Sequence, residues 1–499
     1  MDPARTPVII GVGQINDRTE DPFAAMDPVG LMAAALRAAD ADGGGSWLGA
    51  IDSLSVVDQI SFREMNPLVD AVAANLGITP AHRFQTPKPM GDSPVRLLNE
   101  AANRIGAGES TVAAVVGGEA LRTAAKRAAA SGGDVDHNAM RVRHRGVAPI
   151  YRQRYGLTAP VDVYPLYENA TRSAWGQTLA EAQAESGMIW SLFSQAAADN
   201  PNAWLRSPKS VEEIVTPSPA NRSIAFPYPK LMVANSAVNQ GAGFIVTSLA
   251  EARARGIADD RLIYVGQGAA AHEAEDVLAR DSYVASAGMR VSLEQTLAAN
   301  GLTADQIDLA ELYSCFPCVP KMARRIIGWP EDRPASVVGG LTFGGGPIGN
   351  YMSHAIAAMV DRLRAGDGQH GLLFGNGGFA TYNHSIILSR APIPGVSFPH
   401  DFDHQARAAA MRGPVPLVDE DYAGPGMIET YTVFYDRAGS PTNGVVVARN
   451  TEGKRFLARV PGDDAAGIAF LVDATADPVG TSGVAVVAAD GLRDWQRSS

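Results

Sequence analysis

Apolar positions along the first 120 residues follow two alternating patterns. Pro7-Val8-Ile9-Ile10-Gly11-Val12-Gly13 is a short, continuous apolar run closed by glycine, the pattern of a strand buried on both faces. Over 29–41 the residues Leu31, Ala35, Leu36 and Ala39 recur at helical spacing, and Gly43 stops the run, which predicts a helix. Residues 51–57 predict the next strand, 67–76 a helix stopped by Gly77, 95–105 a helix closed by Gly106 and Gly108, and 111–116 a strand ending in Gly117-Gly118. Strands alternating with helices predict parallel sheets covered on both faces.

The order then repeats. Val12-Gly13-Gln14 returns as Val265-Gly266-Gln267, and helix 29–41 is answered by 291–299. Ile51-Asp52 is answered by Ile307-Asp308, and Ala107-Gly108-Glu109 by Ala365-Gly366-Asp367. The strand 112–116 before Gly117-Gly118 is answered by 372–374 before Gly377-Gly378. Matches in one order predict two similar α/β halves packed together. Residues 122–231 break the pattern and read as a mostly helical insertion over the first half, with clear periodicity at 171–198. Pro394-Gly395 and Pro399-His400 then mark a linker. Beyond residue 416, short β-rich runs at 430–435, 444–448, 456–460 and 484–487 predict a small all-β domain, a five-stranded barrel of the OB type. The expected division is an N-terminal half (1–255) holding the insertion, a C-terminal half (256–392), a linker (393–415) and a β domain (416–499).

Composition narrows the class. With 499 residues, 46% apolar and 19% charged, the chain can bury a large core, and a wholly disordered protein is excluded. The net charge of −11 argues against nucleic acid as the main partner, because phosphate binding needs clustered cations. Two cysteines, Cys315 and Cys318, exclude a disulfide scaffold and point to a reducing compartment. The start of the chain lacks a signal-peptide apolar core, and no apolar run nears the ~18 residues of a membrane span. A soluble, cytoplasmic protein is expected.

Three stretches carry a resemblance. They are Ala101-Ala102-Asn103-Arg104-Ile105-Gly106-Ala107-Gly108 with Gly117-Gly118-Glu119, then Glu311-Leu312-Tyr313-Ser314-Cys315-Phe316, then 344–349. With them the chain resembles the thiolase superfamily, most closely the thiolase-like type 1 proteins related to the sterol-carrier-protein thiolases. The resemblance covers residues 1 to about 392. It implies a duplicated five-layer αβαβα fold with an inserted loop domain; the extra β domain matches the type 1 branch. It also implies an acetyl-CoA acetyltransferase-like scaffold in lipid metabolism, with CoA, an acyl-CoA or another lipid small molecule as ligand and no resident cofactor.

Thiolases hold an acyl-accepting cysteine at the N-terminus of a buried helix, where free N–H groups and the helix dipole stabilise a thiolate and an oxyanion. Counting back from Ile105, that cysteine position falls on Gly91 and the following serine on Ser93. The family's Gly-His-Pro reads Gly345-Gly346-Pro347, its Cys-x-Gly reads Gly375-Asn376-Gly377, and its His-Asp-Cys-Phe reads Tyr313-Ser314-Cys315-Phe316. The resemblance therefore implies a pocket at Gly91, Tyr313, Cys315, Gly346 and Gly375 with its catalytic side chains replaced. Losing one member of a concerted set commonly removes most activity, so cysteine-dependent thiolysis is not expected. The glycines imply a widened cavity in which a ligand approaches the backbone.

Individual residues carry two readings each. Ser93, before Pro94, is a helix N-cap or a substitute nucleophile served by His354 or His384. His384 is a core histidine or a replacement acid/base, and Tyr313 stands at a catalytic position. Cys315-Phe316-Pro317-Cys318 is formally Cys-x-x-Cys, but Pro317 and Pro320 predict a loop and no second pair completes a metal site. Gly11-Val12-Gly13 lacks the third glycine of a dinucleotide fingerprint, and 344–346 lacks the Lys-Ser/Thr of a P-loop. The arginine-rich stretch 141–154 either holds CoA phosphates or forms a solvated surface.

Two functions follow from different classes: an acyl-CoA-handling enzyme with altered chemistry, and a non-catalytic module that binds acyl-CoA or docks a partner. A third treats the β domain as a nucleic-acid binder using Tyr431, Phe434, Tyr435, Arg449, Lys454 and Arg455. Nearby Asp419, Glu420, Asp421, Asp463 and Asp464 favour packing against the α/β halves instead. Thiolases dimerise along the strand before the nucleophile, here 83–89. Pro87 and Pro89 remove two donors from one edge and Lys88 adds a charge, so a monomer, or a dimer formed through another surface, is expected.

Overall fold

The structure, a computed structural model, describes residues 2–132 and 149–497. Its main sheet runs β1 (Pro7–Asn16), β2 (Ser53–Val56), β3 (His82–Gln85), β4 (Val112–Ala120), β7 (Asn239–Ser248), β8 (Ile263–His272), β9 (Leu309–Leu312), β10 (His370–Gly377) and β11 (Tyr382–Ser389), with the short β5 (Ser223–Ala225) and β6 (Tyr228–Pro229) in the insertion. The spatial order is β3-β2-β4-β7-β1-β8-β11-β10-β9.

Two copies of one unit meet at the β1–β8 pairing. The series β2-β4-β7-β1 matches β9-β10-β11-β8 in order and in sense: one parallel pair followed by two antiparallel pairs. The sheet is thus mixed, not wholly parallel as the alternation predicts. A four-residue turn, 378–381, joins β10 to β11, and so short a connection only makes an antiparallel pair. The repeated aspartate has the same task in each half. Asp52 accepts from the Thr111 N–H at 2.7 Å, and Asp308 from the Gln369 and His370 N–H groups at 2.7 and 3.0 Å, so each carboxylate anchors the start of the half's central strand.

The helices give five layers. Helix Pro28–Asp42 packs on β1, β4 and β7, and helix Ala287–Ala299 on β8 and β11, one on each outer face. Helices Ser93–Ala107 and Tyr351–Ala365 touch strands of both halves and form the central layer. Each ends on a glycine in the left-handed region, Gly108 (φ 76°) and Gly366 (φ 91°), which closes the last turn without a Cβ penalty. Gly11 and Gly13 serve packing: a Cβ on either would overlap the carbonyls of Ala39 and Ala35 in helix Pro28–Asp42.

The C-terminal strands β12 (Gly424–Tyr435), β13 (Pro441–Arg449), β14 (Arg455–Pro461), β15 (Ser482–Val487) and β16 (Arg493–Arg497) close on themselves in the order β12-β13-β14-β16-β15-β12. β14 and β16 are parallel, and helix Ala465–Val472 lies between β14 and β15 in the chain. This five-stranded ring is the expected barrel. β12 also pairs with β5, tying barrel to insertion. The fully buried Arg455 is held by Glu429 at 2.7 Å and donates to the carbonyls of Leu278 and Arg280 in the C-terminal half. The stretch 393–415 carries helix Gln405–Met411 and is pinned to β8, with Ala270 N–H donating to Phe402 and His404 N–H to Ala270. The insertion is fastened through the buried ion pair of Lys321 and Glu168 at 2.6 Å, with the Tyr228 hydroxyl donating to Glu168 at 2.8 Å.

The edge strand β3 ends at Gln85, before Pro87 and Pro89. Lys88 does not stand free as an edge charge: its ammonium meets Glu275 at 2.7 Å and the Tyr382 hydroxyl at 2.8 Å.

Candidate functional site

A cavity of about 940 Å³ opens where the central helix Ser93–Ala107 begins. Of the expected pocket positions, Gly91, Tyr313, Cys315 and Gly346 line it. Gly375 does not; its neighbours Asn376 and Gly377 do. Ser93 and His384 also lie outside the lining.

The glycines do not widen the floor as expected. A Cβ on Gly91 would overlap the Asn376 carbonyl and the Tyr313 hydroxyl, and would lie 2.6 Å from Tyr313 Cζ. The Tyr313 ring therefore fills the space that a cysteine side chain would take. At Gly375 a Cβ would come within 2.9 Å of Asp92 Cα. Only Gly346 leaves near-normal room, its nearest contact being the Asn235 carbonyl at 3.3 Å. The Gly346 N–H is engaged by that same carbonyl at 2.8 Å.

Tyr313 follows β9, and its ring meets Tyr351 edge-on at 5.7 Å. Its hydroxyl borders the cavity with no hydrogen-bond partner among the described residues. Burial, then the neighbouring Cys315 and Asp92, hold the phenol well above its ordinary value, so it is a proton donor at neutral pH. Burial pushes the Cys315 thiol up to about 12, so no thiolate is available there. Beside them the Tyr164 hydroxyl donates to Asn376 Oδ1 at 3.0 Å and accepts from the Ala380 N–H at 2.9 Å, while the Asn376 amide donates to Asn383 at 2.8 Å. The floor is a neutral hydrogen-bonding surface.

The other candidates take structural places. Ser93 is the first residue of its helix, with Asp92 as N-cap, and its hydroxyl accepts from the Met90 N–H at 3.2 Å. His384 is fully buried on β11; the Asn99 amide lies 3.1 Å from its Nε2, and Phe402 packs on its ring. Burial, with Arg96 and His400 nearby, lowers its pKa to about 3, so it stays neutral. His354 is likewise lowered to about 3 by burial and faces Gln14 at 2.9 Å. Contrary to the loop expectation, Cys318 opens helix Cys318–Ile327; Pro320 fits there because first-turn N–H groups need no helical partner. Both cysteines are free thiols.

The arginine-rich stretch divides. Residues 141–148 lie outside the described residues. Arg152 donates to the Leu157 carbonyl and faces Asp276 at 3.6 Å, and Arg154 pairs with Glu420 at 2.5 Å. In the barrel, Tyr431 and Arg455 are buried, and Arg449 and Arg455 share Glu429, so these side chains serve packing.

Two features have no counterpart in the sequence reading. Asp92, beside Gly91, has a buried Oδ1 with no hydrogen-bond partner among the described residues, and burial raises its carboxyl to about 6. Its signal was its place inside Gly91-Asp92-Ser93. The outer wall of the cavity comes from the barrel, through Phe434, Tyr435, Arg437, Thr442 and Asn443; no local pattern links these to Gly91, some 340 residues earlier.

Comparison with known proteins places this geometry. Residues 407–491 match the family model described as the thiolase-like protein type 1 additional C-terminal domain. The chain is 31% identical to a solved monomeric SCP2-thiolase-like protein type 1 from Mycobacterium smegmatis, with 100% of both chains covered and a TM-score of 0.84. Human mitochondrial 3-ketoacyl-CoA thiolase is 12% identical, over 78% of this chain and 99% of its own, with a TM-score of 0.59. The Ltp2-ChsH2(DUF35) aldolase is 18% identical, over 78% and 98%, with a TM-score of 0.58. These last two show the shared fold alone. No curated protein matches the chain.

Proposed function

Because the chain belongs to the SCP2-thiolase-like protein type 1 family, we propose that it holds an acyl-CoA-type thioester without forming an acyl-cysteine intermediate. In this reading the Tyr313 hydroxyl donates to the thioester carbonyl at the cavity floor. The observation that carries the reading is the collision at Gly91: the space for a nucleophile is occupied by a protonated phenol that has no hydrogen-bond partner among the described residues. A donor of that kind satisfies and polarises a carbonyl, whereas the remaining cavity thiol, Cys315, is held protonated. The volume of about 940 Å³ suits a ligand of this size. We place the role in acyl-lipid metabolism in the cytoplasm, and the two free buried cysteines agree with a reducing compartment.

We also read the protein as a monomer. The solved relative is described as monomeric, and the edge strand β3 has only four residues before Pro87 interrupts it, leaving little ladder for a partner strand.

The test is intact-mass measurement after incubation with a panel of acyl-CoA and 3-ketoacyl-CoA compounds, together with calorimetric titration. The expected result is binding without an acyl adduct, weakened in Tyr313→Phe. A stable acyl adduct on Cys315, or no binding by any compound, contradicts the reading.

A further inference from the structure

The cavity lining has a second polar region besides Tyr313. The β12–β13 turn of the barrel brings Arg437 to its wall, and the segment before β5 brings Arg222. The Arg222 guanidinium lies 3.4 Å from the carbonyl of Asp436, so the two arginines are neighbours across the insertion–barrel junction. Neither has a carboxylate partner among the described residues. The Asp436 side chain is turned onto the Ser440 N–H at 2.9 Å. The carboxylate of Asp162, also in the lining, accepts from the Ala159 N–H at 2.8 Å. Two cations without a carboxylate partner among the described residues therefore border the cavity of a chain whose net charge is −11. Guanidinium groups present planar forks that match phosphate oxygens two at a time.

We propose that Arg222 and Arg437 form an oxyanion subsite that takes the phosphate-bearing end of the ligand, and that the additional barrel is thereby part of the binding site. The proposal rests on the thioester reading for the identity of the other end of the ligand. Phe434 and Tyr435, which line the cavity beside Arg437, supply an apolar wall for the segment between the two ends.

The test titrates the full-length chain with three probes: an acyl-CoA, the matching acyl-pantetheine without nucleotide phosphates, and inorganic pyrophosphate. The wild type is expected to bind the acyl-CoA more tightly than the acyl-pantetheine. In Arg222→Ala/Arg437→Ala the acyl-CoA affinity falls by about tenfold, the scale of one charge-assisted hydrogen bond, and the acyl-pantetheine affinity stays as it was. Arg437→Lys, which keeps the charge, retains part of the preference and controls for folding. A double variant that keeps the wild-type preference overturns the subsite while leaving the thioester reading in place. Arginine-dependent pyrophosphate binding without binding of either thioester upholds the subsite and overturns the thioester reading. A wild type that binds none of the three overturns both.

Discussion

Replacing Gly91 by alanine tests the most particular feature of the site, the occupation of its side-chain space by Tyr313. The added methyl would lie 2.6 Å from Tyr313 Cζ, about 1 Å inside the usual carbon–carbon contact. It would also overlap the Asn376 carbonyl, which is fixed in the β10–β11 ladder. Overpacking of this kind costs about 1–3 kcal/mol, and the rigid strand puts Gly91→Ala at the upper end. Tyr313→Leu removes the far half of the ring and hydroxyl but leaves the Asn376 contact. In that background Gly91→Ala should cost less by about 1 kcal/mol, within the usual range of coupling between touching residues. Urea unfolding of the four proteins, followed by tryptophan fluorescence, measures the cycle. Effects that add to within about 0.3–0.5 kcal/mol would refute the reasoning, because then Tyr313 does not fill the space beside Gly91.

Other outcomes follow from the same structure. The Asp92 carboxyl is raised to about 6 from 3.8, so the folded chain binds the extra proton between those values and stability falls as pH rises through them. Asp92→Asn should raise the melting temperature at pH 8, by the equivalent of about 3 kcal/mol, and the gain should vanish near pH 4; an equal gain at both pH values contradicts it. Arg455→Ala leaves the carbonyls of Leu278 and Arg280 without their donor, while Arg449 still holds Glu429; the loss should cost about 2–3 kcal/mol, read as a lower melting temperature. Light scattering at micromolar concentration should give a particle near 52.4 kDa, and one of twice that mass contradicts the monomer.

The duplication was legible because each half spends its most apolar runs on its central strands, and because Asp52 and Asp308 repeat a local capping task that leaves a residue-level trace. Four barrel strands showed as β-branched runs. The fifth, Arg493–Arg497, is short and polar, and helix Ala465–Val472 lies between two strands without a strong stop signal. Strand sense was misjudged because alternation reports burial on both faces, whereas sense depends on connection length. The site was legible only where motif positions could be counted, at Gly91, Tyr313, Cys315 and Gly346. That Tyr313 occupies the space beside Gly91, and that Arg437 reaches the same cavity, are juxtapositions of distant segments that only the folded chain supplies.

The most direct test is a crystal structure of the full-length protein with a non-hydrolysable acyl-CoA analogue. The analogue's carbonyl oxygen should lie about 3 Å from the Tyr313 hydroxyl, above Gly91, with no covalent bond to the protein. An analogue seated outside this cavity, or with its carbonyl turned away from Tyr313, would contradict it.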